Sequence, residues 1–256
     1  MPLAPRHVSV TYGAGGTTRG LTHETVDALQ QQGAEVAAHL TCVDASREDT
    51  LAIARRYREA GVTKIVALRG DAPNGGVFAP HPDGFATSLE LVEALAAEGF
   101  EVHVGAYPEP HPDSRSQRAD LEWLRAKFQA GASTAVTQFF FDAETFLRFR
   151  DACADAGIQG RIIPGILPVH NWTSVANFAR RCGTSVPAEL AQGFENAKRD
   201  GRERLMALAH ATELCSTLLD EGVEDLHFYT LNRPELTRDV CRALGVPVEE
   251  SLRKVA

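Results

Sequence analysis

The chain has 256 residues, 44% of them hydrophobic and 23% charged, with a formal net charge of −8. That size and balance suit one globular (β/α) barrel or two small domains with a large core, and the acidic excess argues against nonspecific binding to nucleic acid, which needs basic faces. No apolar stretch approaches the roughly 20 residues that span a bilayer and no secretory leader pattern opens the chain, so the expectation is a cytoplasmic protein with small-molecule partners, no nucleic acid and no membrane.

In chain order, the first predicted strand is His7–Gly13, followed by a helix near Leu21–Gln32 whose Val26 and Leu29 have helical spacing. A second strand covers Glu35–Cys42. Ser46 then caps a helix running to Ala60, with Asp49 three residues on and Gly61 as its stop. The third strand is Lys64–Gly70. The loop Asp71–Gly84 that follows is rich in Gly, Pro and Asp, and long for a βα connection. A helix over Ser88–Glu98 ends at Gly99. Strand four is Glu101–Tyr107, and the next helix, Ser116–Ala130, ends at Gly131. Strand five, Ala135–Phe141, precedes a helix over Ala143–Ala156 closed by Gly157. Strand six is Arg161–Leu167. Helices are predicted over Ser174–Arg181, Ala188–Gln192 and Asn196–Glu221, then a seventh strand over Asp225–Leu231. Pro234 opens the last helix, where its missing N–H costs nothing.

Strand and helix alternate with a repeat of about 30 residues, as βα units require. Strand cores such as IVAL and IIPGIL are apolar on both faces, which suits a parallel sheet covered by helices. No linker or composition shift marks a boundary, so residues 1–256 are expected to form one domain. The predicted class is a TIM-type (β/α)8 barrel; a doubly wound open sheet is the alternative, and the GxGxxG of a dinucleotide fold follows no strand. Seven strands are predicted where a closed barrel has eight, so an N-terminal βα unit is expected to be missing.

In a barrel of this kind, reactive groups collect at the C-terminal ends of the strands. There this sequence places Thr11 and Tyr12, then His39, then Arg69, Gly70 and Asp71, then Tyr107, Glu109 and His111. Gln138 and Asp142 bracket the fifth strand end, Asn171 follows the sixth, and Tyr229, Asn232 and Arg233 follow the seventh. Asp120 and Lys127 lie two helical turns apart on one face. Each residue has a plainer reading: aromatic core caps, turn residues, a satisfied core histidine at His39, surface charges at Asp120 and Lys127. Their shared location at successive strand ends favours a site.

Other chemistries are poorly supported. The five cysteines form no CxxC pair, which fits reduced thiols better than a disulfide framework or zinc site. There is no HExxH, no phosphate-binding Gx4GK[ST] loop and no GxSxG, so no metal is expected. Asp71, Glu109 and Asp142 could supply the paired carboxylates of a glycosidase, an unspecific pattern.

The strings SVTYGAGG, AHLTC, IVALRGD, AYPEPHP, ADLEWLRAK, TQFFFD, IPGILPV and HFYTLNR run in order from residue 8 to residue 233. Together they resemble the bacterial, FAD-dependent methylenetetrahydrofolate reductase family. The resemblance implies a (β/α)8 barrel that holds FAD. It also implies hydride transfer from NADH or NADPH through the flavin to 5,10-methylenetetrahydrofolate, giving 5-methyltetrahydrofolate for methionine biosynthesis. It allows a homo-oligomer. Positions matching the family's FAD site are Tyr12, Ala14, His39, Arg69, Gly70, Asp71, Tyr107, His111, Asp120 and Lys127, with Thr11 beside the nicotinamide. Gln138, Phe178 and Arg233 match the folate side, and Asp71 and Gln138 are the catalytic candidates. The family's first strand, EFFPP or similar, carries the glutamate expected as general acid; the sequence shows no counterpart. Trp123, Ala126 and Ser174 replace residues that are amide-bearing or basic in the family.

Overall fold

The structure, a computed structural model, describes residues 3–12, 19–71 and 78–247. Its strands are β1 (Val8–Val10), β2 (Val36–Thr41), β3 (Lys64–Leu68), β4 (Glu101–Ala106), β5 (Ala132–Thr137), β6 (Arg161–Ile163), β7 (Gly165–Ile166) and β8 (His227–Phe228). Its helices are α1 (Arg19–Gln31), α2 (Arg47–Glu59), α3 (Ser88–Ala97), α4 (Gln117–Gln129), α5 (Ala143–Asp155), α6 (Trp172–Cys182), α7 (Ala188–Arg199), α8 (Glu203–Asp220) and α9 (Pro234–Ala243). The α/β class predicted from the alternation is the observed one. Six strands pair in consecutive order, β1-β2-β3-β4-β5-β6, and β7 pairs with β8 separately. Consecutive parallel strands joined by helices are the strand order of a (β/α) barrel.

The described residues fall into two compact units. One comprises Pro5–Gly105 with Trp123–Ala135. Its ladders β1/β2, β2/β3 and β3/β4 are all parallel, with His39 opposite Val66. Val36, Ala37, Ala38, Leu40, Ile65 and Val66 are buried on both faces of the sheet, as strands covered by helices must be. Local chemistry sets the helix ends. Ser46 caps α2 by accepting the Asp49 N–H, and Thr87 caps α3 by accepting the Glu90 N–H.

The other unit comprises residues 3–4, Ala106–Glu122 and the described residues from Val136 onward. Its core has two clusters. Phe139, Phe141, Trp172, Val175 and Phe194 anchor one; Phe140, Phe146, Ile166, Leu214 and Leu218 anchor the second. Trp172 stacks flat on Phe194 with ring centroids 4.6 Å apart.

Several boundaries differ from the sequence prediction, and those that follow have a physical cause. The predicted strand Arg161–Leu167 is split into β6 and β7, because Pro164 has no N–H to donate to a ladder. Strand β5 begins and ends earlier than Ala135–Phe141, and the three phenylalanines leave the sheet for the two core clusters. Helix α7 runs through Gly193 to Arg199 instead of stopping at Gln192. A Cβ on Gly193 would meet Met206 Cε at 2.9 Å, so this glycine admits α8 at close range and does not break its helix. The break comes at Gly201, where φ is +68°.

Candidate functional site

In the unit built on β1–β4, Thr11 and Tyr12 follow β1, His39 lies within β2, and Arg69, Gly70 and Asp71 follow β3. Tyr12 is buried after β1, with its ring edge-on to His23 at 6.2 Å. His23 Nδ1 in turn lies 2.8 Å from the Tyr57 hydroxyl. Sequence reading singled out Tyr12 but not His23 and Tyr57, which lie on the helices α1 and α2 and carry no strand-end signal. Thr11 is exposed, and its carbonyl accepts the Thr22 hydroxyl at 3.2 Å. Ala14 lies outside the described residues.

The end of β3 is shaped by a close approach. Gly70 has φ +83°, and a Cβ there would meet Val43 Cγ1 at 2.6 Å and Thr41 Cβ at 3.0 Å. Only glycine combines that conformation with that contact. On either side of it, Arg69 lies with its guanidinium carbon 5.3 Å from the centre of the Phe78 ring, and Asp71 is exposed. The Arg69 carbonyl accepts the Cys42 thiol at 3.3 Å, and burial raises that thiol's pKa to about 11, so it stays protonated. Lys127, late on α4, is buried and donates from Nζ to the Gly105 carbonyl at 3.0 Å.

The second unit contains Tyr107, His111 and Asp120. The rings of Tyr107 and His111 meet edge to face at 4.6 Å. The Asp120 carboxylate accepts the His111 backbone N–H at 3.0 Å, which ties the Pro-rich loop to α4. Glu109 is occupied similarly: both carboxylate oxygens accept the Ser185 N–H, at 3.0 and 3.1 Å. Asp142 and Asn171 take the plainer reading. Asp142 caps α5 through the Glu144 N–H, and Asn171 caps α6 through the Ser174 N–H.

The residues expected on the folate side all belong to this second unit. Gln138 directly follows β5. Its Oε1 accepts the Phe139 N–H at 3.1 Å, and Phe139 stacks on Phe178 at 5.3 Å. Gln138 and Phe178 therefore share one aromatic neighbour. Arg233 follows a turn in which Leu231 and Asn232 both have positive φ, closed by a bond from the Arg233 N–H to the Thr230 carbonyl at 2.8 Å. His170 lies within reach of the Arg233 charge. Burial holds its imidazole below the ordinary range, and Arg233 pushes in the same direction against Glu235. Sequence reading missed His170; its flanking string ILPVHN gives no chemical signal.

Among the described residues, no group of three His, Cys, Asp or Glu side chains is arranged to hold a metal ion. No helix there is long and apolar enough to cross a membrane.

Comparison with known proteins bears on the same strings. The family model described as "Methylenetetrahydrofolate reductase" matches residues 1–245. The chain is 46% identical over 247 residues to the 5,10-methylenetetrahydrofolate reductase of Pectobacterium carotovorum, covering 95% of this chain and 81% of the relative. It is 45% identical over 246 residues to the enzyme of the same name from Escherichia coli, covering 95% and 82%. It is 35% identical over 262 residues to "Methylenetetrahydrofolate reductase (NADH) 1" of Arabidopsis thaliana, covering 96% of this chain and 44% of that one.

Proposed function

Because the chain belongs to the methylenetetrahydrofolate reductase family, we propose that it reduces 5,10-methylenetetrahydrofolate to 5-methyltetrahydrofolate with FAD as resident cofactor and NADH or NADPH as reductant. The reaction would supply methyl groups for methionine biosynthesis, in the cytoplasm. A bound FAD supplies what no side chain can, a group that takes hydride from the nicotinamide and passes it to the folate.

The donor set fits that cofactor. Lys127 is buried late on α4 and donates from Nζ to the Gly105 carbonyl. With Arg69 it answers the charge of a pyrophosphate. Asp120 offers a carboxylate to ribose hydroxyls. Tyr12, His39, Tyr107 and His111 offer ring surface and hydrogen-bonding nitrogens or hydroxyls. Asp71, exposed after the Gly70 turn, would disfavour added negative charge on a ring beside it and so tune the cofactor's potential.

On the substrate side, Gln138 presents a side-chain amide, complementary to the amide edge of a pterin. Phe178, stacked on Phe139, offers an aromatic face for a ring of the folate. Arg233 offers a cation to the folate's carboxylates. The observation that carries the reading is this juxtaposition of Gln138 and Phe178 on Phe139, in the string TQFFFD.

Two measurements on the purified protein test the proposal. One is a visible spectrum, in which bound flavin absorbs near about 450 nm. The other is methylenetetrahydrofolate-dependent oxidation of NADH and of NADPH. The plant relative's name makes NADH the first to try. A protein that binds no flavin on reconstitution with FAD and oxidises neither nicotinamide would refute the reading.

A further inference from the structure

We propose that Tyr229 is a positioning residue for folate binding, acting through the peptide bond that joins Thr137 to Gln138; the inference rests on Gln138 being a folate contact. The phenolic hydroxyl of Tyr229 donates to the Thr137 carbonyl at 2.7 Å. The other end of the same peptide unit, the Gln138 N–H, donates to the Ala106 carbonyl at 2.8 Å. A peptide unit is a rigid plane. With both its ends held, the plane sets the direction in which the Gln138 side chain leaves the backbone.

The neighbouring bonds complete the hold. The Gly165 N–H donates to Thr137 Oγ1 at 2.9 Å. Gln138 Oε1 accepts the Phe139 N–H at 3.1 Å, and the Phe139 carbonyl accepts the Thr184 hydroxyl at 3.3 Å. Because Oε1 is committed to Phe139, the orientation of the side-chain amide follows that of the backbone beneath it.

The path by which Tyr229 reaches Thr137 is built into the fold. β8 runs parallel to β7 with His227 opposite Gly165 and Phe228 opposite Ile166. The Tyr229 N–H continues the ladder to the Ile166 carbonyl at 2.8 Å. From there its ring crosses Gly165. A Cβ on Gly165 would lie 2.5 Å from Tyr229 Cε2 and 2.2 Å from the Thr137 carbonyl oxygen. The glycine of IPGILP thus clears the way for the tyrosine of HFYTLNR to hold the glutamine of TQFFFD. Burial raises the pKa of the phenol, so its proton remains available to Thr137 throughout the pH range of an assay.

A tyrosine that only satisfied a buried carbonyl would matter to stability alone. A positioning role has a different signature. Tyr229→Phe removes one oxygen and keeps the ring over Gly165. In the FAD-loaded protein it is expected to raise KM for methylenetetrahydrofolate about five- to tenfold, the effect of losing one buried hydrogen bond. Turnover at saturating folate should stay within about twofold, and the rate of flavin reduction by nicotinamide should be unchanged. Calorimetric titration with 5-methyltetrahydrofolate should show the dissociation constant raised by the same factor. Gln138→Ala should raise KM further, and Tyr229→Phe in that background should add nothing. Thr137→Val, which removes the Gly165 acceptor and leaves the carbonyl, should repeat the pattern if Tyr229→Phe proves unstable. Additive effects of Tyr229→Phe and Gln138→Ala would overturn the proposal, as would equal losses in flavin reduction and folate turnover. If Gln138→Ala leaves folate KM and binding unchanged, the reading of Gln138 itself fails and the proposal falls with it; that result is distinguishable, because the single glutamine variant alone reveals it.

Discussion

Lys127 holds the Gly105 carbonyl at 3.0 Å from a side chain that is only 7% exposed. A buried ammonium is costly unless partnered, and the family resemblance puts this one beside the phosphates of FAD. Lys127→Met, which keeps the apolar stem, is expected to weaken FAD binding by roughly tenfold to a hundredfold, corresponding to about 1.5–3 kcal/mol for a charge-assisted bond. Fluorescence titration of the apo-protein with FAD measures it; an unchanged affinity would remove Lys127 from the cofactor site.

Gly70→Ala should damage the fold. The new Cβ would be forced into the left-handed region and within 2.6 Å of Val43 Cγ1. Strain of this kind costs on the order of 1–3 kcal/mol before any overlap is counted. The expected outcome is a lower midpoint of chemical denaturation with an unchanged slope. A midpoint equal to that of the parent protein would mean that the end of β3 is less constrained than described.

Asp71→Asn should behave in the opposite way. The carboxylate is exposed next to the Gly70 turn, so the unfolding free energy is expected to stay within about 0.5 kcal/mol of the parent value, as for other surface substitutions. Flavin reduction or folate turnover should fall. Stopped-flow kinetics of the two half-reactions locate the defect. Parent-like rates in both would withdraw Asp71 from the catalytic candidates.

His210 predicts a pH dependence of stability. On α8 it lies between Phe141 at 6.3 Å and Phe194 at 6.4 Å, and its Nε2 is buried with no hydrogen-bond partner among the described residues. Burial lowers its pKa below the ordinary 6.5, with Glu213 opposing. A histidine with a depressed folded pKa is neutral in both states above about pH 6.5, so stability there is full. As pH falls from 6.5 through the folded pKa, the unfolded chain takes up the proton first and stability is lost. His170, also depressed, adds to the slope. Thermal midpoints between pH 5 and 8 should therefore fall on the acid side, and His210→Phe should flatten the decline without abolishing it. An identical slope in the variant would show that His210 is not the titrating group.

The local grammar of the fold was legible in the sequence. Strand and helix alternate as read, Ser46 caps α2, and Gly61, Gly99, Gly131 and Gly157 all follow helices with positive φ. These features depend on hydrogen bonds and periodicities a few residues long, so they are written where they act. The strings at the strand ends likewise determined the family. What only the tertiary structure decided involves partners distant in the chain. Gly193 looks like a helix breaker until Met206 is brought against it, and Phe139, Phe140 and Phe141 read as a strand until the two clusters claim them. Tyr229 and Thr137 are 92 residues apart, and Gly165 earns its place only because that tyrosine crosses it. Long-range contacts of this kind follow from how the chain closes on itself, and nothing in the residues flanking either partner encodes the other.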